Sequence, residues 1–415
     1  MKLNDFAAKF DSIVMTPEDN PEIQTLYNRI AMTSENFSVH TKKSPDYFRF
    51  LTYAAENHHV FGFPNPRGEL EGLAALIIRP CYIDGRPDRV GHFLDLRFKR
   101  RRDRTGTGDW KSMALGFTRV GREIDELERC RVFHGSYITT NIYATAAIGK
   151  EKKGALPKTE PRPETAKSVD AKPAEAFLVS NLASYQSVNI YARKPQKAIG
   201  LGAFKNSGKK FTVAAGEEKD RDELKNFLDA QNRIKTFGYI YSGENGELER
   251  RFKYWDGFSM ASFFIARDSA GTIIGAFGAF DPGKGRQIYI DALPPDKELI
   301  AKLGALVGLK VPRPNENIDI LYLTSLELAH GLSAAERLDV FDGLLTALYK
   351  SGLPKAYHIV SFCDYNKQSL LEVVARGYMY DATPVLLYQL HAPEAVEIYR
   401  ESGMAHPPGH EMVLM

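Results

Sequence analysis

The sequence predicts an α/β (α+β) protein built as two similar domains in tandem. Three observations carry this prediction. The chain has 415 residues, enough for two or three domains at roughly 150 residues each. Short apolar stretches alternate with stretches of helical spacing along most of its length. A run of strand, helix, strand, Asn and helix occurs once in each half, over 32 positions from Asp109 to Asn141 and 33 from Ser333 to Asn366.

In the first half, the turn residues Pro17-Glu18-Asp19-Asn20 lead into a predicted helix over Pro21–Ala31. Ser44-Pro45 starts a second over Asp46–Asn57. Three strands follow: His59–Phe63, Leu73–Arg79 and Val90–Phe98. They are separated by the turns Asn65-Pro66-Arg67-Gly68 and Asp84-Gly85-Arg86-Pro87. Met113, Leu115, Phe117, Val120 and Ile124 give Trp110–Glu128 helical spacing. Arg131–Thr140 reads as a strand, Asn141–Gly149 as a short helix and Ser184–Arg193 as a returning strand. Between them, residues 150–176 mix prolines with Lys and Glu, a composition that builds no core and predicts an exposed, mobile loop.

The second half repeats this order. Lys210–Ala215 is a strand and Arg221–Ile234 a helix; Ala261–Arg267 and Ile273–Phe280 form a hairpin around Asp268-Ser269-Ala270-Gly271. Gln287–Ala292 adds a strand, Lys297–Val307 a helix and Ile318–Leu328 a strand. Ser333 with Glu336 three residues on is a capping box opening a helix to Lys350, which Gly352 and Pro354 end. Tyr357–Phe362 is a strand, Lys367–Arg376 a helix and Pro384–Leu390 a strand. Domains of 1–200 and 201–415 follow.

Hydrophobic residues make up 43% and charged residues 26%, a globular balance that excludes wholesale disorder. Charge is uneven: Lys+Arg against Asp+Glu is 31 to 24 in residues 1–200 and 24 to 28 in 201–415, so the halves are expected to bind different things. Cys81, Cys130 and Cys363 are far apart and form no CxxC, which argues against a disulfide framework or zinc motif and fits a reducing cytoplasm. Met1–Asp5 carries charge where a signal peptide needs apolar residues, and no apolar run approaches about 18 residues. A cytoplasmic protein without membrane contact is expected.

The excess positive charge gathers in Lys99-Arg100-Arg101-Arg102-Asp103-Arg104-Thr105-Gly106-Thr107-Gly108, directly before a helix. A helix N-terminus presents unpaired amides and partial positive charge. Glycines let those amides approach an anion, and arginines add forked donors. The alternatives are a phosphate cradle and a solvated basic turn. No Gly-Lys-Ser/Thr follows and a third glycine is missing, which excludes Walker and Rossmann loops.

Residues 90–108 resemble the acetyl-CoA-binding motif of the GCN5-related N-acetyltransferase (GNAT) superfamily. Leu94-Asp95-Leu96-Arg97-Phe98 matches the motif strand, and Gly106 and Gly108 match its last two loop glycines. Asp103 replaces the usual Arg or Gln, Arg100 a common Pro, and Thr105 a glycine. Asn141-x-x-Ala144 and Asn366-x-x-Ser369, the latter followed by Gly377-Tyr378, resemble the family's later Asn-x-x-Ala segment. The resemblance covers two copies, about 10–196 and 205–392. In the second, His330-Gly331-Leu332-Ser333-Ala334 is too short and lacks the basic residues. One cofactor-competent copy and one degenerate copy are implied, each a mixed, mostly antiparallel central sheet flanked by helices.

The resemblance implies an N-acyltransferase with acetyl-CoA as acyl donor, no metal, and a small-molecule or peptide amine as acceptor. Leu96 and Phe98 amides would hold the pantetheine arm, and one would polarise the thioester oxygen. Arg102, Arg104, Thr105, Gly106, Thr107, Gly108 and Asn141 complete the implied cofactor set. Asp95 is the candidate base, the alternatives being an ordered water chain for that role and, for Asp95, pairing with Arg97 or a capping role. Tyr143 is the candidate acid, with packing as its alternative. Asp95 lies 14 positions before Asp109 and Glu327 lies 6 before Ser333, an alignment free to slip by two. His58-His59 lacks further ligands at metal spacing, Cys81 a placed histidine partner, and Glu327 with His330 a cradle. A non-catalytic acyl-CoA sensor or scaffold is the competing class. A nucleic-acid contact is disfavoured because the basic turn has no interleaved aromatics. The acceptor and any homodimer are left open.

Overall fold

A computed structural model describes residues 1–30, 32–33, 38–99, 104–139, 178–198, 208, 210–292, 310–313, 315–365, 369–391 and 406–414. The first half contains α1 (Leu3–Ala8), β1 (Ile13–Met15), α2 (Asn20–Arg29), β2 (Met32–Thr33), β3 (Ser38–Lys42), α3 (Tyr47–Ala54), β4 (Asn57–Pro64), β5 (Leu70–Ile83), β6 (Arg86–Phe98), α4 (Trp110–Val120), β7 (Val132–Ile138), β8 (Leu178–Arg193) and α5 (Pro195–Ala198). The second contains β9 (Phe211–Ala215), α6 (Arg221–Arg233), α7 (Glu247–Tyr254), β10 (Phe263–Asp268), β11 (Ile273–Phe280), β12 (Gln287–Ala292), β13 (Ile320–Leu328), α8 (Ala334–Lys350), β14 (Ile359–Tyr365), α9 (Leu371–Gly377) and β15 (Tyr378–His391).

Twelve strands form one sheet in the order β1-β4-β5-β6-β7-β15-β8-β14-β13-β11-β10-β9. Only the pairs β6/β7 and β13/β14 run parallel among the described strands. The mixed, mostly antiparallel sheet flanked by helices is therefore present. The halves share it by exchanging strands. β8 of the first half lies between β14 and β15, and β15 of the second lies between β7 and β8. β8 and β15 pair from Arg193↔Tyr378 to Leu178↔His391. A small sheet, β12-β3-β2, ties the halves a second time, with Gln287 opposite Lys42.

Local sequence accounts for most elements. Asp84 and Gly85 both have positive φ, +50° and +73°, the two-residue turn that matches strand twist. β6 therefore begins at Arg86-Pro87, residues expected in the turn, which pair with Ile83 and Tyr82 of β5. β5 is buried on both faces: Leu73, Ala75 and Ile77 pack with α2 and α3 residues, and Ala74, Leu76 and Ile78 with Phe6, Met113 and Phe117. This is period-two alternation between two apolar layers. The Ser333/Glu336 capping box opens α8 as expected. The helix expected over Trp110–Glu128 stops at Val120 and continues as two 3-10 turns. Gly121 there sits against Cys130 and Phe133, where a Cβ would come within 2.7 Å of the Cys130 carbonyl oxygen.

α1, β1, β2, β3 and α7 were not anticipated, and β15 extends well before the predicted Pro384–Leu390. The helices expected over Asn141–Gly149 and Lys297–Val307, and the loop 150–176, lie outside the described residues. The largest apolar cluster draws on both halves, joining Tyr47, Phe50 and Tyr53 of α3 to Trp255, Phe258 and Phe280. Trp255 stacks on Phe280 with centroids 4.2 Å apart, and its indole nitrogen donates to the Tyr53 carbonyl at 2.8 Å.

Candidate functional site

The parallel pair β6/β7 holds register only from Val90↔Val132 to Phe93↔Gly135. Beyond Phe93 the strands part, although β7 stays paired with β15 as far as Ile138. On its other edge β6 pairs with β5, with a register shift at Asp95-Leu96. Asp95 stands there at φ +53°, in the left-handed region. This is a β-bulge, which bends the strand and re-aims its side chains. The Lys99 amide donates to the Glu71 carbonyl on β5. Strand alternation therefore turns the neighbouring Phe98 amide away from β5. Leu96 is 39% exposed. Phe98 packs on Phe63 at 4.9 Å, with the Arg104 guanidinium 4.4 Å over its ring.

The glycine loop folds against the ends of β4 and β5. A Cβ on Gly106 would lie 2.8 Å from the Pro64 carbonyl oxygen, and one on Gly108 would lie 2.7 Å from Phe63, so both glycines permit this packing. The Thr105 and Gly106 amides each donate to the Glu71 carboxylate at 2.9 Å. Thr105 Oγ1 and Asn65 Nδ2 also donate to Glu71. An internal carboxylate thus occupies two of the amides that the sequence reading offered to phosphate. Asp109 caps α4 by accepting from the Lys111 and Ser112 amides. Arg104 donates to the Gly108 carbonyl, and Thr107 Oγ1 to Asp11 at 2.6 Å. Arg102, Asn141 and Tyr143 lie outside the described residues.

Burial alone would raise the Glu71 carboxyl, but the two amides and the Asn65 and Thr105 side chains bring it down to about 2. Because the folded value lies below the unfolded one, its stabilisation is present above about 4.5 and is lost as pH falls toward 2. Glu71→Gln is therefore expected to flatten the acid limb of a stability-against-pH curve in that window. An unchanged limb would refute the contribution.

On the bulge, the Asp95 carboxylate pairs with Lys43 Nζ and accepts from the Tyr47 hydroxyl at 3.0 Å and the Tyr27 hydroxyl at 3.3 Å. Lys43 lies over the rings of Phe50 and Tyr47, 4.1 and 4.9 Å from their centroids. Arg97 donates to the Tyr27 hydroxyl at 2.9 Å and to the Ile30 carbonyl. Asp95 therefore pairs with Lys43, which the sequence reading did not name, rather than with Arg97. Burial opposes the Asp95 charge, but Lys43 and Arg97 outweigh it and hold the carboxyl below its ordinary range. Burial pulls the Lys43 ammonium down to about 8, with Asp95 opposing the shift. The Asp95 side chain keeps 13% exposure.

The second half carries the same device. β13 and β14 run parallel only from Ile320↔Ile359 to Tyr322↔Ser361. The β13/β11 register shifts at Ser325-Leu326, where Ser325 has φ +50°. Ser325, not Glu327, is thus the counterpart of Asp95, the two-residue slip the alignment allowed. Here the C-terminal segment reaches the opening. Residues 407–412 line it together with Leu323, Leu326, Cys363 and Tyr365. Glu411 accepts from the bulge amide of Ser325 at 3.0 Å and from Thr324 Oγ1, and pairs with Arg251 at 3.0 Å. Glu327 is bound to Lys235 at 2.6 Å and to Asn232 at 2.9 Å. His330 meets the Gln231 backbone carbonyl.

Other sequence candidates have structural surroundings. His58 Nδ1 lies 3.0 Å from the Ala55 carbonyl. Cys81 is buried, which pushes its thiol up to about 12. Glu71 had one sequence signal, a lone carboxylate in the apolar run of β5. Lys43, Tyr27, Tyr47 and Glu411 had none, because their partners are far along the chain. Among the described residues no helix is long and apolar enough to cross a membrane.

The fold, a central sheet parted at a parallel pair beside a bulge, is similar to those of solved N-acyltransferase structures. The chain is similar to the N-myristoyltransferase of Saccharomyces cerevisiae with bound myristoyl-CoA, with a TM-score of 0.51, 8% identity, and 91% of this chain and 82% of that one covered. It is also similar to a fungal multi-domain β-N-acetylglucosaminidase with a GCN5-related glucosamine N-acetyltransferase region, with a TM-score of 0.50, 10% identity, and 91% of this chain and 38% of that one covered. No protein-family model and no curated protein sequence matches the chain.

Proposed function

We propose that the chain is an acyl-CoA-dependent N-acyltransferase, moving an acyl group, acetyl in the first instance, from CoA to a primary amine. The observation that carries this reading is the parting of β6 from β7 after Phe93, beside the Asp95 bulge and ahead of the glycine loop. An extended thioester arm fits there as a substitute strand, on the Leu96 and Phe98 amides. Arg104, the Gly106-Thr107-Gly108 segment and the start of α4 face the pyrophosphate, with Arg102 and Asn141 completing the set. Because Glu71 holds the Thr105 and Gly106 amides, phosphate contact falls mainly to the arginines and the helix end.

The amine nitrogen attacks the thioester carbonyl carbon; the C–N bond forms, the C–S bond breaks, and the sulfur leaves as thiolate. A strand amide stabilises the oxyanion. Asp95, kept ionised by Lys43 and Arg97, takes the proton from the nitrogen once attack on the carbonyl has made it acidic, and releases it to solvent through its exposed edge. Tyr143 is assigned to protonate the thiolate. The second opening takes no cofactor in this proposal, since Glu411 already holds the Ser325 bulge amide.

Calorimetry with acetyl-CoA and myristoyl-CoA tests the reading. Wild type is expected to bind one acyl-CoA per chain. Arg104→Ala is expected to weaken binding about tenfold, and Gly106→Glu/Gly108→Glu to abolish it. No binding by wild type, or equal binding by all three proteins, would sink the proposal. Tight binding without CoA release across a broad amine screen would overturn the enzymatic half of it.

A further inference from the structure

Three buried histidines meet beneath the opening. His92 on β6 and His134 on β7 stand opposite each other in the parallel register, and their rings stack at 4.5 Å. His410 arrives from the C-terminal segment and meets both edge-on, at 5.3 and 5.8 Å. One ring nitrogen from each lies within 4.8 Å of the others. The three residues are 4%, 1% and 7% exposed.

The hydrogen bonding of this cluster is incomplete. His92 Nε2 and both ring nitrogens of His134 are buried without a hydrogen-bond partner. A neutral imidazole carries one donor and one acceptor, and leaving them bare in a dry site is unfavourable. Phe237 stacks on the far face of His134 at 5.3 Å and offers only an apolar surface. His410 differs, since its Nε2 lies 3.2 Å from the Tyr185 hydroxyl. That contact fixes the ring and leaves Nδ1 for another partner, the arrangement of a metal-ligating histidine with an outer-shell bond.

We infer that His92, His134 and His410 form a binding site for a divalent transition-metal ion of the zinc type. Three neutral imidazoles suit Zn²⁺, Cu²⁺ or Ni²⁺, and the absence of a carboxylate from the set disfavours Mg²⁺ and Ca²⁺. Arg79 lies nearby. Its guanidinium donates to the carbonyls of Phe237 and Gly409 and stacks on Tyr239. This positive charge opposes any cation, so coordination bonds rather than charge must hold the ion. Metal–nitrogen bonds of about 2.0–2.1 Å set tetrahedral ligands roughly 3.3 Å apart, and imidazole lone pairs lie in the ring plane, so on binding the rings close inward and His92 and His134 turn out of their 12° stack.

The ion would fasten the C-terminal segment to β6 and β7. Glu411, the next residue, accepts from the Ser325 amide on the β13 bulge. One metal therefore clamps residues from both halves and holds Glu411 on the second bulge. Sequence spacing hid the site, because its ligands lie 42 and 276 positions apart. It revises the expectation of a metal-free protein and is independent of the acyl-transfer reading.

The test uses the full chain without a histidine tag, dialysed against EDTA. Co²⁺ is added as a spectroscopic probe, followed by Zn²⁺. One Co²⁺ per chain is expected, with the visible bands of a low-coordinate nitrogen site, and Zn²⁺ abolishes them. Zn²⁺ also raises the Tm in proportion to its saturation. His410→Ala, and separately His92→Gln, weaken Co²⁺ binding at least about 100-fold, since even an outer-shell loss costs roughly 10–100-fold. Folded wild type that gives no bands in excess Co²⁺ overturns the inference. So do bands that persist undiminished in both variants.

Discussion

Lys43→Met is expected to destabilise the protein by about 3–5 kcal/mol, the range for removing one partner of a buried ion pair. The substitution keeps the side chain's length against the Phe50 and Tyr47 rings but strands the Asp95 carboxylate. The Tyr27 and Tyr47 hydroxyls and the more distant Arg97 charge then remain to it. Lys43→Met/Asp95→Asn should recover most of the loss, because a neutral amide no longer needs a counter-charge. Denaturant titration of wild type, both single variants and the double variant forms a cycle that isolates the pair. Additive single losses would show that Lys43 and Asp95 do not act together. The sign of the pH effect is also set. The folded Asp95 carboxyl lies below its unfolded value, so the pair's stabilisation is present above the ordinary carboxylate range and fades as pH falls through the lowered value.

Glu411→Ala is expected to cost about 3 kcal/mol and to release the C-terminal segment from the second opening. The carboxylate satisfies the Ser325 amide and Thr324 hydroxyl and neutralises Arg251, which is 0% exposed. Arg251 retains Glu247 at 2.7 Å, so its burial is only partly uncompensated afterwards. Faster amide exchange at Ser325 and new protease cleavage within 406–414 would report the release. Unchanged exchange at Ser325 would mean that the surrounding packing, not the carboxylate, holds the segment. Glu411→Gln separates charge from shape: it keeps a hydrogen-bond acceptor for the amide and removes the counter-charge for Arg251.

The sequence by itself determined what depends on neighbours a few residues apart. Alternating apolar residues wrote β5, β6, β13 and β14, because strand faces repeat every two residues. Ser333 with Glu336, and Asp109 ahead of Trp110, marked helix starts because caps act within one turn. The GNAT-type order of elements was legible for the same reason, as was the lack of a second basic loop.

Tertiary structure decided what depends on partners far along the chain. Nothing local in β8 or β15 states that each crosses to the other half's sheet, since backbone hydrogen bonds carry no label for their partner. Glu71 could be seen as odd in an apolar strand, but not as the anion on the Thr105 and Gly106 amides. The Lys43–Asp95 pair, the Glu411–Ser325 contact and the three histidines each join residues dozens to hundreds of positions apart. Periodicity fixes which face a side chain takes; which other face closes over it is settled only when the whole sheet assembles and burial makes each polar group find a partner.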